Sequence, residues 1–86
     1  MAYIVDISSS ARRRLTKLPV QVSFVLIGAF HQLEINPRSH GKKLSGFKDT
    51  YQLRVDDYRI VYQVQKQRLI VFVIRIGHRR EVYRDM

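Results

Sequence analysis

Two arginines, Arg54 and Arg59, are the first residues in this sequence whose types and spacing could do chemistry. They lie in two strand-like runs that are separated by Asp56 and Asp57. If the two aspartates form a two-residue hairpin turn, Arg54 lies directly opposite Arg59. Like charges at such a position are destabilising unless an anion lies between them. Because guanidinium groups match phosphate oxygens and stay charged at any working pH, the pair predicts a phosphate-binding sheet face.

A structural interpretation of the same pair is also open. Arg54 and Arg59 could form ion pairs with Asp49, Asp56 or Asp57, or extend into water, and the turn would then be a solvated loop. The sequence alone does not decide between these two interpretations.

A second group of chemically capable residues follows the last strand-like run. Gly77, His78, Arg79 and Arg80 come first, and Tyr83 lies shortly after them. Arg79 could hold a phosphate there, and Tyr83 could stack on a base. The alternative is that His78 caps the strand end, that the two arginines promote solubility, and that Tyr83 covers the sheet edge.

Other classes of site find little support. The sequence has no cysteine, and its three histidines, His31, His40 and His78, have no metal-ligand spacing. A glycine-rich phosphate loop and a serine with a recognisable base are also lacking, so we expect no metal and no cofactor. His31 lies on a predicted helix, which favours packing or a partner contact. His40 lies in a basic loop, where a solvated or phosphate-touching role is expected.

The elements that must position these residues follow from periodicity and turn signals. Alternating or apolar runs predict four strands, over Tyr3–Ile7, Tyr51–Val55, Tyr58–Val64 and Leu69–Ile76. The last run is nearly all apolar, which predicts a central strand covered on both faces. The segment Asn36–Gly46 is polar and is predicted to be a loop.

Two helices are predicted between the first and second strands. One begins near Ala11, after three serines that can cap it, and the other spans Val20–Ile35. The inner stripe of the longer helix has helical spacing: Val22, Val25, Leu26, Ala29, Phe30 and Leu33. The order β-α-α-β-β-β predicts an α+β fold with two N-terminal helices packed on one face of a small, mainly antiparallel sheet.

Length and charge limit the function further. A chain of 86 residues is expected to form a single domain, 1–86. Sixteen Lys and Arg against seven Asp and Glu give a formal net charge of +9, which attracts polyanions. RNA, DNA, an anionic membrane surface and an acidic protein are all possible partners on charge alone. Since no signal peptide or membrane-spanning run is visible, we expect a cytoplasmic protein that does not bind a membrane.

Two segments together resemble the RelE/ParE toxin superfamily. They are KLSGFKDTYQLRVDDYRIVYQV, from Lys43 to Val64, and VFVIRIGHRREVY, from Val71 to Tyr83. The resemblance covers essentially the whole chain. It implies a microbial-RNase-like RelE fold and a cognate, acidic, RelB-like antitoxin that wraps the toxin and binds operator DNA with it. RelE-like members enter the ribosome and cut mRNA without a metal, whereas ParE-like members inhibit DNA gyrase and lack the nuclease residues.

The resemblance also implies roles for individual residues. Arg54 takes the place of a strand lysine with an acid–base or charge-stabilising role, and Arg59 matches a phosphate-holding arginine. Arg79 matches an arginine near the leaving group, and Tyr83 a tyrosine that stacks on the target base. Gln52 is a departure, because the best-known RelE-like enzymes carry a lysine there and glutamine cannot hold positive charge.

The sequence therefore favours the toxin of a type II toxin–antitoxin system that is a ribosome-dependent, metal-free mRNA endoribonuclease. In this hypothesis Arg54, Arg59, Arg79 and Tyr83 are catalytic. Contacts to mRNA and ribosomal RNA are expected from the other basic and polar candidates: Arg12, Arg13, Arg14, Lys17, Lys42, Lys43, Gln52, His78 and Arg80. The alternative is a ParE-like, non-catalytic inhibitor of DNA gyrase. A plain nucleic-acid-binding module is the least favoured hypothesis.

Overall fold

A computed structural model describes residues 2–78 and contains helices on one side of a five-stranded sheet. The helices are α1 (Ser9–Thr16), α2 (Val20–Ile35) and the single-turn α3 (Pro37–His40). The strands are β1 (Ile4–Ile7), β2 (Lys42–Lys43), β3 (Thr50–Val55), β4 (Tyr58–Gln65) and β5 (Ile70–His78), with a 3₁₀ turn at Lys66–Arg68 before β5. The predicted α+β class and the predicted order of the main elements are confirmed.

The sheet has the strand order β1-β5-β4-β3-β2. β1 pairs with β5 in parallel, and the other neighbouring pairs are antiparallel, so the prediction of a mainly antiparallel sheet is confirmed. Ser8 fixes the start of α1, because its hydroxyl accepts a hydrogen bond from the backbone N–H of Ala11 at 3.1 Å. The same hydroxyl donates to the backbone carbonyl of Ile74 at 2.8 Å, which joins the helix start to β5.

The hairpin between β3 and β4 has the predicted register. Asp56 and Asp57 form the turn, and Arg54 lies opposite Arg59. Asp56 has a φ of 53°, a left-handed conformation that aspartate tolerates better than most residues. Since side chains alternate across a strand, this register fixes which residues face the helices and which face away.

The hydrophobic core lies between the helices and one face of the sheet. It contains Ala11 from α1, four residues of α2, alternate residues of β4, and Val71, Val73 and Ile76 of β5. Leu26, Ala29, Phe30 and Leu33 are buried as predicted, and Val22 is half-buried. The prediction for Val25 is wrong, since its side chain is 47% exposed. The apolar residues of α2 surround most of the helix, so periodicity alone could not fix its rotation.

Two further predictions are corrected by the structure. The segment Asn36–Gly46 is not simply a loop, because it contains α3 and β2. β5 is an interior strand, but β4 occupies the middle of the sheet. Phe72 and Ile70, which face away from the helices, are only half-buried, so β5 is fully covered on one face only.

The face of the sheet that points away from the helices is called the open face below. Its residues on β4 are Arg59, Val61, Gln63 and Gln65. Within residues 2–78, no helix is both long and apolar enough to cross a membrane.

Candidate functional site

A groove at the hairpin end of the open face brings together several of the predicted site residues. It is lined by residues of β3 and β4 on one side and of the α3–β2 segment on the other: His40, Gly41, Lys42, Gln52, Leu53, Arg54 and Arg59. Lys42 pairs with Gln52 in the sheet, which places β2 beside the groove. None of the carboxylates in residues 2–78 lines it, so this described part of the groove is positively charged and suited to an anion.

Arg54 and Arg59 are not neutralised by the nearby aspartates. Among the described residues, the only ion pair joins His31 and Glu34, at 3.4 Å. Arg54 donates instead from Nε to the backbone carbonyl of Asp56, at 3.4 Å. The ion-pair interpretation of the two arginines is therefore not supported within residues 2–78. Two guanidinium groups are held side by side on an open surface, where a phosphate could lie between them.

The partner of Arg59 on β5 is a glycine. Gly77 lies directly opposite Arg59, so no side chain of β5 stands at that paired position. One row further along the sheet, Gln52 and Arg75 lie on either side of Val61. Arg75 is thus a third arginine on the open face, half-buried and not predicted as part of the site.

The opposite wall of the groove contains His40, which the sequence did not place in the site. Both His40 and Lys42 are exposed. An imidazole can accept or donate a proton near neutral pH, which arginine, lysine and glutamine do not readily do. His40 is therefore the side chain of the described groove that is best suited to proton transfer.

Tyr62, on the helix side of β4, holds the backbone of the His40–Lys42 segment in place. This fully buried tyrosine donates a hydrogen bond to the backbone carbonyl of Pro37, at 2.5 Å, and its ring stacks on Tyr51. Gly41 passes so close that a Cβ atom there would lie 1.9 Å from the Tyr62 hydroxyl oxygen. A glycine is required at this position because the backbone and the phenol occupy the space of any side chain.

Burial also changes the acidity of this phenol. Desolvation, with a smaller contribution from the neighbouring Tyr51, raises the pKa of Tyr62 well above its usual range. The hydroxyl therefore remains a hydrogen-bond donor to Pro37 across the whole neutral pH range.

Several predicted residues lie away from the groove. His78 pairs with Tyr58, and the two rings meet edge to face at 6.0 Å on the helix side of the sheet. Lys43 pairs with Tyr51, so it also points away from the open face. Four basic residues of α1 and its C-cap also lie on the helix side: Arg12, Arg13, Arg14 and Lys17. Arg14 is half-buried, and the other three are exposed.

The candidates Arg79, Arg80 and Tyr83 lie outside the described residues, so their predicted roles stay predictions. Among residues 2–78, no three His, Asp or Glu side chains lie close enough together to hold a metal ion.

Comparisons with known proteins agree with this fold. The family described as ParE toxin of type II toxin-antitoxin system, parDE, matches residues 5–83. The mRNA interferase toxin RelE of Escherichia coli (strain K12) is 37% identical over 89 residues, which cover 99% of this chain and 94% of that protein. Toxin RelG of Mycobacterium tuberculosis is 33% identical over 86 residues, covering 98% and 99%.

A solved structure is similar as well. The toxin–antitoxin complex RelBE2 from Mycobacterium tuberculosis contains a chain that superposes with a TM-score of 0.82 at 30% identity. The superposition covers 91% of this chain and 99% of that one.

Proposed function

Because this chain belongs to the RelE/ParE superfamily of type II toxins, we propose that it is a RelE-like toxin that cuts mRNA on the ribosome. Relatives named mRNA interferase support the choice of nuclease over gyrase inhibitor. The observation that carries the proposal is the groove itself, where Arg54 and Arg59 lie side by side and no carboxylate of residues 2–78 lines the space around them. A protein that acted only by binding another protein would not need this arrangement.

The proposed reaction is the transfer of a phosphodiester to the neighbouring ribose oxygen. The 2′-oxygen attacks phosphorus and the bond to the 5′-oxygen breaks, which leaves a 2′,3′-cyclic phosphate and a 5′-hydroxyl. Arg54 and Arg59 stabilise the extra negative charge on the phosphorane oxygens. This interaction is strongest in the transition state, so it lowers the barrier rather than only binding the substrate.

Two protons must also move in this reaction. We assign the His40 imidazole, which lines the groove, as the group that takes the proton from the 2′-hydroxyl, and a second group must protonate the 5′-oxygen as it leaves. Arg79 is proposed to contact that oxygen, and Tyr83 to stack on the neighbouring base. Lys42 and Gln52 would hold flanking phosphate and ribose oxygens by hydrogen bonds.

The ribosome would position the mRNA in the groove. Correct placement of the reacting atoms is worth several kcal/mol, about 7 to 11 in the best cases. The groove is open and has few proton carriers, so cleavage of free RNA is expected to be slow. The basic residues of α1, together with Lys43, His78 and Arg80, are proposed to contact ribosomal RNA.

We also propose a cognate acidic antitoxin of the RelB type. Its docking surface would include an apolar stripe on the outer side of α2, made of Val20, Phe24, Ile27 and Ile35, whose side chains are between 41% and 75% exposed. Apolar patches of this kind on a small protein mark interaction sites. Structures of related toxins contain RelB antitoxins, which supports such a partner. The toxin–antitoxin complex is proposed to bind operator DNA, and the toxin to act in the cytoplasm.

Two parallel assays distinguish the nuclease from the gyrase inhibitor. The purified chain is added to a reconstituted translation reaction and, separately, to a DNA gyrase supercoiling reaction. We expect protein synthesis to stop and supercoiling to continue. Inhibited supercoiling with normal translation would instead support the ParE-like alternative.

A further inference from the structure

A second basic cluster lies at the other end of the sheet and has no part in the proposed cleavage. β3 begins at Thr50, whereas β4 continues past it to Gln65, and this leaves a notch at the margin of the sheet. Four cations line the notch: Arg38, Lys48, Lys66 and Arg68. These four residues are called the basic notch below.

The positive charge of the basic notch is not balanced within the described part of the chain. Of the carboxylates in residues 2–78, only Asp49 lines it, and none lies within ion-pairing distance of any of the four cations. All four side chains are exposed. Four like charges around one depression repel each other, and an anion that binds there removes this repulsion.

The basic notch is joined to the groove by the open face of β4. Arg59 lies in the groove, and Gln63 and Gln65 line the notch. Arg59 and Gln65 are six residue steps apart along the strand, which corresponds to about 20 Å. The Debye length at physiological salt is only about 8 Å, so one small anion cannot interact with both clusters. A polyanion that runs along the sheet can interact with both.

The polar side chains of the notch favour RNA over an acidic peptide as this polyanion. Three glutamines, Gln63, Gln65 and Gln67, line it together with the cations. An amide side chain both donates and accepts hydrogen bonds. Ribose hydroxyls and base edges also do both, whereas the carboxylates of a peptide only accept.

We propose that the basic notch is a second RNA-binding site, which holds backbone phosphates of the same strand whose scissile phosphate lies between Arg54 and Arg59. This inference rests on the proposed function for the identity of the strand, but not on cleavage. The notch would add affinity and fix the direction of the strand along the sheet.

Binding of a cleavage-resistant RNA tests the site without relying on catalysis. The probe is a fluorescent 2′-O-methyl oligouridylate of twelve nucleotides, and its affinity is measured by anisotropy at several salt concentrations. Each phosphate contact to a single strand contributes about 0.7 to the salt slope. The double variant Lys66→Gln/Arg68→Gln should therefore lower the slope by about 1.4 and the affinity by about 25-fold at 0.1 M salt.

Two controls separate contact from net charge. Lys66→Arg/Arg68→Lys keeps both charges and should bind the twelve-nucleotide probe as the parent chain does. Ser9→Asp/Gln21→Glu, on exposed positions of α1 and α2, changes the net charge by the same amount away from both clusters and should leave the slope unchanged. A four-nucleotide probe is too short to reach both clusters, so its affinity should change little in Lys66→Gln/Arg68→Gln.

Several outcomes would overturn the proposal. An unchanged slope in Lys66→Gln/Arg68→Gln, or an equal loss for the short and long probes, would show that the notch is not a second contact on one strand. A loss of binding to a decaglutamate peptide with intact RNA binding would assign the notch to an acidic protein instead. Arg38→Gln/Lys48→Gln should reproduce the RNA result from the opposite wall, which guards against a folding defect in the turn.

Discussion

Replacing Tyr62 by phenylalanine removes one buried hydrogen bond and keeps the rest of the side chain. The backbone carbonyl of Pro37 then loses its phenol donor. An unsatisfied buried acceptor costs about 1–3 kcal/mol. A chain of this length is expected to have a free energy of unfolding of about 4–13 kcal/mol, so the loss should be easy to measure. With a urea dependence of about 1 kcal/mol per molar, the unfolding midpoint should fall by about 1–3 M.

Gly41→Ala tests the same contact from the other side. Its Cβ atom would lie 1.9 Å from the hydroxyl oxygen of Tyr62 and 2.8 Å from Cζ, so one of the two residues must move. Overpacking of this kind costs about 1–3 kcal/mol. In the double variant the hydroxyl is absent and the worst clash is gone. The double variant should therefore lose less free energy of unfolding than the two single variants lose in sum, and the difference, the coupling energy, should be about 0.5–3 kcal/mol.

Urea unfolding followed by circular dichroism gives all four free energies of this double-mutant cycle. Ribosome-dependent mRNA cleavage is measured on the same four proteins. Gly41→Ala should lose activity because the His40–Lys42 segment is displaced, and Tyr62→Phe should restore part of it. Strictly additive free energies, or a Gly41→Ala variant of parental stability, would refute the described packing of Tyr62 against this segment.

Three further predictions concern pH, proton transfer and the antitoxin. Because burial raises the pKa of Tyr62 above its usual value of about 10, the unfolded chain loses this proton first, so the free energy of unfolding should fall as the pH rises above about 10. In urea titrations at several pH values, the free energy of unfolding of Tyr62→Phe should fall less above about pH 10 than that of the parent chain. An identical pH dependence in both proteins would contradict the raised pKa of Tyr62. His40→Gln should slow cleavage because it removes the proposed base, whereas His31→Gln on α2 should not; an unchanged cleavage rate in His40→Gln would remove His40 from the reaction. Phe24→Ser should weaken antitoxin binding by about 10- to 150-fold, since burying a phenylalanine is worth about 1.5–3 kcal/mol, while mRNA cleavage by the free toxin stays the same. Gln21→Ser is the matched control, and equal affinities for the two variants would place the antitoxin elsewhere.

The hairpin that carries Arg54 and Arg59 was predictable from the sequence because its turn has two residues. A two-residue connection fixes the register, and alternation then fixes every side chain of the pair. The helix α2 was predictable in its bounds but not in its rotation, as Val25 shows. Because apolar residues occur on most sides of α2, one side of the helix can pack in the core while another binds a partner.

The other wall of the groove was not predictable in the same way. α3 has four residues and β2 has two, and such short elements are held by tertiary contacts rather than by local preference. The hydrogen bond from Tyr62 to Pro37 joins residues 25 positions apart, so no local sequence pattern predicts it. His40 therefore appeared only as a basic-loop residue.

The face of the last strand was also hidden in the sequence. A bulge between the partners of Val61 and Tyr62 shifts the register of β5 by one residue, so that Val73 and Ile76 both face the core. The alternation before the bulge therefore cannot be extended to residues after it. Because of this shift, His78 lies on the helix side of the sheet, opposite Tyr58.

Primer extension on mRNA in a purified translation system tests the central claim most directly. The wild-type chain should produce cuts at codons engaged by ribosomes, and Arg54→Gln/Arg59→Gln should abolish them. Gln21→Glu, on the exposed side of α2, also lowers the net charge but lies outside the groove, and it should cut normally. An intact message with the wild-type chain, or undiminished cutting by the double arginine variant, would contradict the assignment of the groove as an RNA-cleaving site.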